Sequence, residues 1–175
     1  MKLARLSRLM SVLSLLGMVL LPAVVIWIFL APERTQFLML RLSHVGDGLT
    51  AAVPLGTRLE ALAIELVPTG LASWALWSLS QVFACYARGK VFSAEPLRHF
   101  NNLAVALFLS VVVDIGLQVP ITALLSWHLG PHHRHASLSF GSDDVSRLFI
   151  AGAVLVIARV MDEARRMADE NAGFV

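Results

Sequence analysis

The sequence predicts an all-α, polytopic membrane protein in which four transmembrane helices form an antiparallel bundle. Residues 66–87 and 9–32 each form a run without a charged side chain. A helix rises about 1.5 Å per residue, so either run can cross roughly 30 Å of hydrocarbon. In addition, 57% of the residues are hydrophobic and only 15% are charged. A soluble domain of 175 residues needs more charge to cover its surface, so we expect one membrane domain over residues 1–175.

The first two spans follow from these runs. Span one is predicted over residues 9–30, with Pro22 inside it, and span two over residues 66–87. Thr57 and Glu60 have the spacing of a capping box, in which each side chain satisfies the other residue's backbone N–H. The second helix is therefore predicted to start near Arg58, outside the membrane, and to extend beyond the span.

The third and fourth spans contain charged residues. Span three is predicted over residues 100–125, where Asp114 is the only charge. Span four is predicted over residues 145–161, about 25 Å of helix, although only Leu148 to Ala158 lie between Arg147 and Arg159. Arginine can extend its guanidinium to the headgroups, which makes this short span feasible. Residues 162–175 are predicted to form a cytoplasmic helical tail.

The distribution of basic residues predicts the orientation. Four spans place the N-terminus, the loop 88–99 and the C-terminus on one side, with nine Lys and Arg residues against five on the other. The positive-inside rule then places both termini in the cytoplasm. In the inner loop, Gly89 suits a helix C-cap, Ser93 an N-cap and Glu95 the positive first turn of the next helix.

Asp114 is the strongest single candidate for a site residue. A carboxylate in hydrocarbon costs about 2.5–3.5 kcal/mol on insertion scales, so its presence in a span requires an explanation. Ser110, Gln118 and Thr122 share its helix face at intervals of four, so the stripe is predicted to face other helices. One interpretation is a proton or ligand site, or a coupling element. The other is a structural carboxylate, protonated or paired, for which Arg147 is the predicted partner.

Four histidines cluster in the outer connection between spans three and four: His128, His132, His133 and His135. Imidazole is the commonest protein ligand for transition metals, and it titrates near neutral pH. The cluster therefore fits a metal site, a pH sensor or a solvated loop without function. Asp143 and Asp144 are near enough to contribute ligands, but they also suit the first turn of helix four.

The inner face offers candidate docking residues for a cytoplasmic partner: Arg88, Lys90, Asp162, Glu163 and Glu170. The pairs Asp162–Arg166 and Arg166–Glu170 have the i, i+4 spacing that supports an exposed helix. A solvated helix end explains the same pattern. The single cysteine, Cys85, excludes an internal disulfide and is interpreted as a buried, inert thiol. No nucleophile–base pair or phosphate loop is recognisable, so we expect neither enzymatic activity nor a cofactor.

Two groups of residues resemble a known family. The first is Trp77, Leu79, Phe83, Tyr86, Gly89 and Val91 to Ser93, and the second is Phe149 to Gly152 with Glu163 and Met167 to Asn171. In this order and spacing they resemble a bacterial family of uncharacterised four-span membrane proteins, domain of unknown function 2975. The resemblance implies a bacterial inner membrane protein and supports span four. It also implies a pairing with a small helix-turn-helix regulator, which family members often have as a genetic neighbour.

Three hypotheses for function remain open. The first is a non-enzymatic sensor or membrane tether for a small cytoplasmic transcriptional regulator, without direct nucleic-acid binding. The second is a metal-responsive or small-solute transporter that uses the outer histidines and Asp114. The third is a structural subunit or homo-oligomer, suggested by small residues in span four that permit close helix approach: Ala151, Gly152, Ala153 and Ala158.

Overall fold

Four long helices follow one another along the part of the chain that the structure describes. The structure is a computed structural model that describes residues 2–31, 54–89, 93–127, 138 and 140–172. The helices are α1 (Lys2–Leu30), α2 (Leu55–Ala87), α3 (Ala94–Ser126) and α4 (Ser142–Ala172). The predicted all-α fold is therefore confirmed for these residues.

Three of the helices have the length and the apolar composition that crossing a membrane requires: Ala4–Leu30 within α1, Leu55–Ala87 in α2 and Ala94–Leu124 within α3. Their outward faces carry large exposed apolar side chains, such as Val19 and Val67. Helix α4 does not meet the same standard within the described residues, because charged residues closely flank its apolar stretch. The fourth span therefore stays a prediction.

The described helices pack against their neighbours in chain order: α1 against α2, α2 against α3, and α3 against α4. Phe29 of α1 packs with Ala61 and Leu62 of α2, and Ile121 and Leu124 of α3 cover this cluster. A second cluster joins α2 and α3 through three buried side chains, Ala75, Leu103 and Ala106. These clusters hold the first three helices together at two levels.

Small and polar residues bring α1 and α2 close together. The Ser11 hydroxyl donates to the Ser80 carbonyl at 3.0 Å, and Ser78 and Ser80 are completely buried. A Cβ added at Gly17 would lie 3.4 Å from a methyl carbon of Leu76. Small residues of this kind let helix backbones approach each other, which replaces the hydrophobic driving force that lipid removes.

The start of α2 differs from the sequence prediction. The helix begins at Leu55 with Pro54 at the N-cap position and without a side-chain cap. The predicted capping box of Thr57 and Glu60 is therefore wrong, because Thr57 already lies inside the first turn and is buried. The extension of α2 beyond the predicted span is confirmed, since 33 residues make a helix about 50 Å long.

The predicted helix ends are confirmed on both sides of the connection between α2 and α3. Gly89 has a φ of 77° and its N–H donates to the Tyr86 carbonyl at 3.1 Å, as expected of a residue that ends a helix. Ser93 is the N-cap of α3, with extended backbone, and Glu95 lies in the first turn. The guanidinium of Arg88 and the carboxylate of Glu95 are 3.2 Å apart, so they join the two helix ends.

Candidate functional site

An ion pair between α3 and α4 is the centre of the candidate site. Nη1 of Arg147 donates to Oδ2 of Asp114 at 3.2 Å. The Asp114 side chain is only 15% exposed, whereas that of Arg147 is 49% exposed. The predicted partner of Asp114 is confirmed, and this contact fixes the position of α4 along α3.

Asp144 supports this pair, whereas the sequence suggested it only as a possible metal ligand or as a first-turn acid of helix four. Its Oδ1 lies 3.5 Å from Nη2 of Arg147, one turn further along α4. Its Oδ2 accepts the Gly141 N–H at 3.1 Å, while its own N–H donates to the Gly141 carbonyl. Asp144 therefore caps α4 and holds Arg147, and the i, i+3 spacing of the two residues was the available signal.

The polar stripe of α3 faces the protein where it was predicted to do so. Ser110 and Thr122 are buried, and Gln118 is partly buried. The Ser110 hydroxyl donates to the Leu107 carbonyl at 2.7 Å, and the Thr122 hydroxyl donates to the Gln118 carbonyl at 2.8 Å. Hydroxyls that donate to their own helix keep their lone pairs as acceptors toward the bundle.

A cleft of about 330 Å³ lies beside the ion pair, with lining residues from all four described helices. Glu65 of α2 faces it together with Asp114 and Arg147, and two hydroxyl residues, Thr69 and Ser110, also line it. Its apolar wall consists of Leu21, Val25, Leu107 and Val111. Sequence reasoning missed Glu65 because this residue stands at the end of a charge-free run and was interpreted as a span boundary.

At the connection between α2 and α3, Arg88 lies next to both Cys85 and Glu95. Nη2 of Arg88 donates to Sγ of Cys85, with 3.2 Å between the two atoms. Cys85 itself is fully buried, as predicted. The interactions with Cys85, and then the charge of Glu95, raise the pKa of the Arg88 guanidinium above its ordinary value. Arg88 therefore carries a permanent positive charge at this surface. Lys90, the other basic docking candidate, lies outside the described residues.

The tail continues α4 without interruption to Ala172. Asp162, Glu163 and Glu170 are exposed, as a docking surface requires. Arg166 contacts Glu163 at 2.6 Å and Glu170 at 3.9 Å, so the predicted pair with Glu170 is confirmed. The predicted pair with Asp162 is wrong, because the guanidinium turns to the adjacent Glu163 instead.

The predicted histidine cluster, His128, His132, His133 and His135, lies outside the described residues. Among the residues that the structure does describe, no group of three or more His, Cys, Asp or Glu side chains could hold a metal ion. The metal hypothesis therefore gains no support from the described part of the chain.

These features define a class: an all-α protein with helices that suit a membrane and a charged cleft among them. A family model described as Protein of unknown function (DUF2975) matches residues 9–173. The chain belongs to this family, as the sequence resemblance predicted. No curated protein and no solved structure matches the chain.

Proposed function

We propose that this protein is a non-enzymatic, four-span protein of the bacterial inner membrane that senses a ligand in its cleft and tethers a small cytoplasmic regulator. One observation supports the proposal above all. A single unbroken helix, α4, holds Arg147 at the cleft and continues to the exposed charges of the tail. A change at the ion pair would therefore be transmitted to the docking surface by a rigid element.

The charge register of α3 and α4 supports the fourth span. Arg98 and Asp114 are 16 residues apart on α3, and Arg147 and Arg159 are 12 residues apart on α4. These separations correspond to about 24 Å and about 18 Å of helix. When α4 runs antiparallel from the Asp114–Arg147 contact, its apolar stretch lies beside that of α3. Arg159 then comes within reach of the inner headgroups.

The topology can be tested by labelling single cysteines in Cys85→Ser protein. We expect Asp143→Cys in intact cells to react with a membrane-impermeant maleimide. Glu170→Cys is expected to react only after permeabilisation, because four spans place it in the cytoplasm. Reaction of both positions from the same side would contradict a fourth span, and the opposite pattern would contradict the orientation.

The docking surface can be tested by reversing its charges. Full-length protein in mild detergent is expected to capture a small helix-turn-helix protein encoded beside its gene. A variant with Asp162→Lys, Glu163→Lys and Glu170→Lys should lose this capture, since these exposed carboxylates form the proposed dock. A control with Asp143→Lys and Ser142→Lys changes charge at the other end of α4 and should retain it. Equal capture by both variants, or no capture by the unaltered protein, would refute the tethering role.

A further inference from the structure

We propose that α4 pairs with the α4 of a second copy of this chain through an exposed apolar stripe. The stripe comprises six apolar residues at alternating intervals of three and four: Ile150, Ala153, Ile157, Val160, Ala164 and Met167. All six side chains are exposed. This inference rests on the proposed four-span placement of the chain and deepens the proposed function by naming a second copy as a partner.

The spacing of the stripe defines a seven-residue repeat. Ile150, Ile157 and Ala164 occupy its first position, a, and the other three residues occupy its fourth position, d. Two helices with such a repeat pack side by side as a coiled coil, and isoleucine at a is typical of parallel pairs. The charged residues of the same region all lie at other positions of the repeat: Arg159, Asp162, Glu163, Arg165, Arg166, Asp169 and Glu170. The stripe therefore stays apolar along its whole length.

Lipid accounts for only part of the exposed stripe. In the proposed arrangement Arg159 reaches the inner headgroups, so Ala164 and Met167 lie about 8 Å and about 12 Å of helix beyond it. Met167 is nevertheless 56% exposed. The apolar face thus continues from the proposed span into the tail, where water would otherwise cover it. A contiguous apolar face in water indicates a contact with protein, and a helix that is apolar along one stripe only is typical of packing against protein.

The area of this face suits a pair of copies. Seven large apolar side chains of the described α4 between residues 149 and 167 are 45–76% exposed. Covering them on both copies would bury on the order of 1,000 Å², which is near the lower limit for a specific interface. Because the same stripe lies on both copies, the contact is isologous and closes as a dimer.

The direction and the charges of α4 favour a second copy as the occupant. Two copies inserted with the same topology hold their α4 helices parallel, as in a parallel coiled coil. Residues 159–170 contain three arginines and four acidic residues, so the flanks of the stripe are nearly neutral. The carboxylates of Glu163 and Glu170 flank the stripe and lie 2.6 Å and 3.9 Å from the Arg166 guanidinium of the same helix. The two copies therefore meet without a row of unbalanced like charges.

Disulfide cross-linking between copies tests the pairing in isolated cell membranes that contain the full-length chain at low expression. In Cys85→Ser protein, Ala164→Cys places one thiol on the stripe, and Asp162→Cys places one on the opposite face of the same helix. Because a disulfide needs Cβ atoms about 4 Å apart, we expect mild oxidation to give at least about five-fold more product of twice the chain mass with Ala164→Cys. Equal yields at both positions would indicate chance collisions, and no such product with Ala164→Cys would show that lipid or another protein covers the stripe. Either result would overturn the inference.

Charges placed on the stripe test the same contact by disruption. Ala164→Glu with Met167→Glu puts two acids at the cytoplasmic end of the stripe. Cross-linking through Val160→Cys should then fall by about ten-fold or more, since like charges would face each other across the interface. Asp162→Lys changes the charge of the helix by the same amount on the opposite face and should leave the yield unchanged. Equal yields in both variants would show that the copies do not meet through the stripe.

The pairing and the tethering role can fail independently. Detergent micelles that separate the copies cover the stripe in their place, so substitutions on it should hardly change the stability of a single chain, which near-UV circular dichroism checks. A cross-linked pair without capture of the regulator would support the pairing and refute the tether. Capture of the regulator without cross-linking would overturn the pairing alone.

Discussion

Helices α1 and α4 both lie at the edge of the bundle, yet they differ in their charge and in how they contact their neighbours. Among the described elements, the backbone of each lies close to one neighbouring helix, α2 for α1 and α3 for α4. Helix α1 has no charge between Arg8 and its end, and its mean hydropathy reaches 2.6. Helix α4 carries charges at both ends of its apolar stretch and pairs Arg147 with α3.

This difference in charge corresponds to two ways in which a helix at the edge of the bundle can be held in place. Lipid can cover most of α1, which packs with α2 through small residues, the apolar cluster around Phe29 and the hydrogen bond from Ser11 to Ser80. In the proposed four-span arrangement, helix α4 depends on a partner, because an unpaired charge at membrane depth is expensive. The position of α4 against its neighbour therefore depends on charge, and the position of α1 depends on the fit of its side chains.

The largest expected effect follows from removing the charge contact of α4. Asp114→Ala should lower the free energy of unfolding by about 1–3 kcal/mol, because it removes a charge-assisted hydrogen bond between α3 and α4 and leaves the half-exposed guanidinium of Arg147 with only the longer contact to Asp144. The double variant Asp114→Ala/Arg147→Ala should recover part of this loss. Unfolding in mixed detergent, followed by near-UV circular dichroism, measures both.

The control for this pair is Asp143→Ala, which removes an exposed acid next to Asp144. It should change the free energy of unfolding by no more than about 0.5 kcal/mol. If the effects of Asp114→Ala and Arg147→Ala simply add, the two residues are not coupled and charge does not fix α4.

Overpacking the contact between α4 and α3 should have the next largest effect. Ala158 is fully buried and α3 is the described neighbour of α4, so Ala158→Leu should cost about 1–3 kcal/mol. Ala153→Leu, on the exposed face of the same helix, should be nearly neutral. The same detergent unfolding compares them, and equal losses would show that α4 does not pack through this face.

A smaller effect on the free energy of unfolding is expected when a glycine of α1 or of α4 is replaced by alanine. In a helix, alanine is favoured over glycine by up to about 1 kcal/mol. Gly152 of α4 has open space around an added Cβ, whereas Gly17 of α1 has Leu76 at 3.4 Å. Gly152→Ala should therefore gain more stability than Gly17→Ala in the same assay. The reverse order would contradict the close α1–α2 approach.

The smallest expected effect lies in the tail. Arg166→Ala removes contacts with Glu163 and Glu170, and exposed pairs of this kind contribute a few tenths of a kcal/mol. Hydrogen exchange of the tail amides should become slightly faster, while exchange in α1 stays the same. Met167→Ala is the uncharged control, and equal acceleration by both variants would show that the ion pairs do not order the tail.

The sequence predicted the helices and the central ion pair because both answer strong physical requirements. A backbone in hydrocarbon must satisfy its own hydrogen bonds, so long apolar runs become helices. A carboxylate at that depth needs a partner, and Arg147 was the cation at the matching end of the next helix. The sequence could not decide whether α4 crosses the membrane, because the length and the charges of its apolar stretch give opposite indications.

Other features depended on tertiary position, which a local pattern does not contain. Glu65 looked like a boundary residue, but the extension of α2 and the neighbouring helices place it at the cleft. Thr57 and Glu60 had the spacing of a cap, yet the helix starts earlier, after Pro54. The choice of Arg166 between Asp162 and Glu163 depended on side-chain rotamers, for which the sequence offers two carboxylates at suitable spacing.

The double role of Asp144 has a consequence for biosynthesis. The carboxylate that starts α4 also neutralises Arg147, so the first turn of this helix and its lateral contact form together. In the proposed four-span arrangement, α4 is a poor candidate for leaving the translocon on its own. We expect it to enter the lipid only after α3 is available to receive its guanidinium, as one member of a helical hairpin.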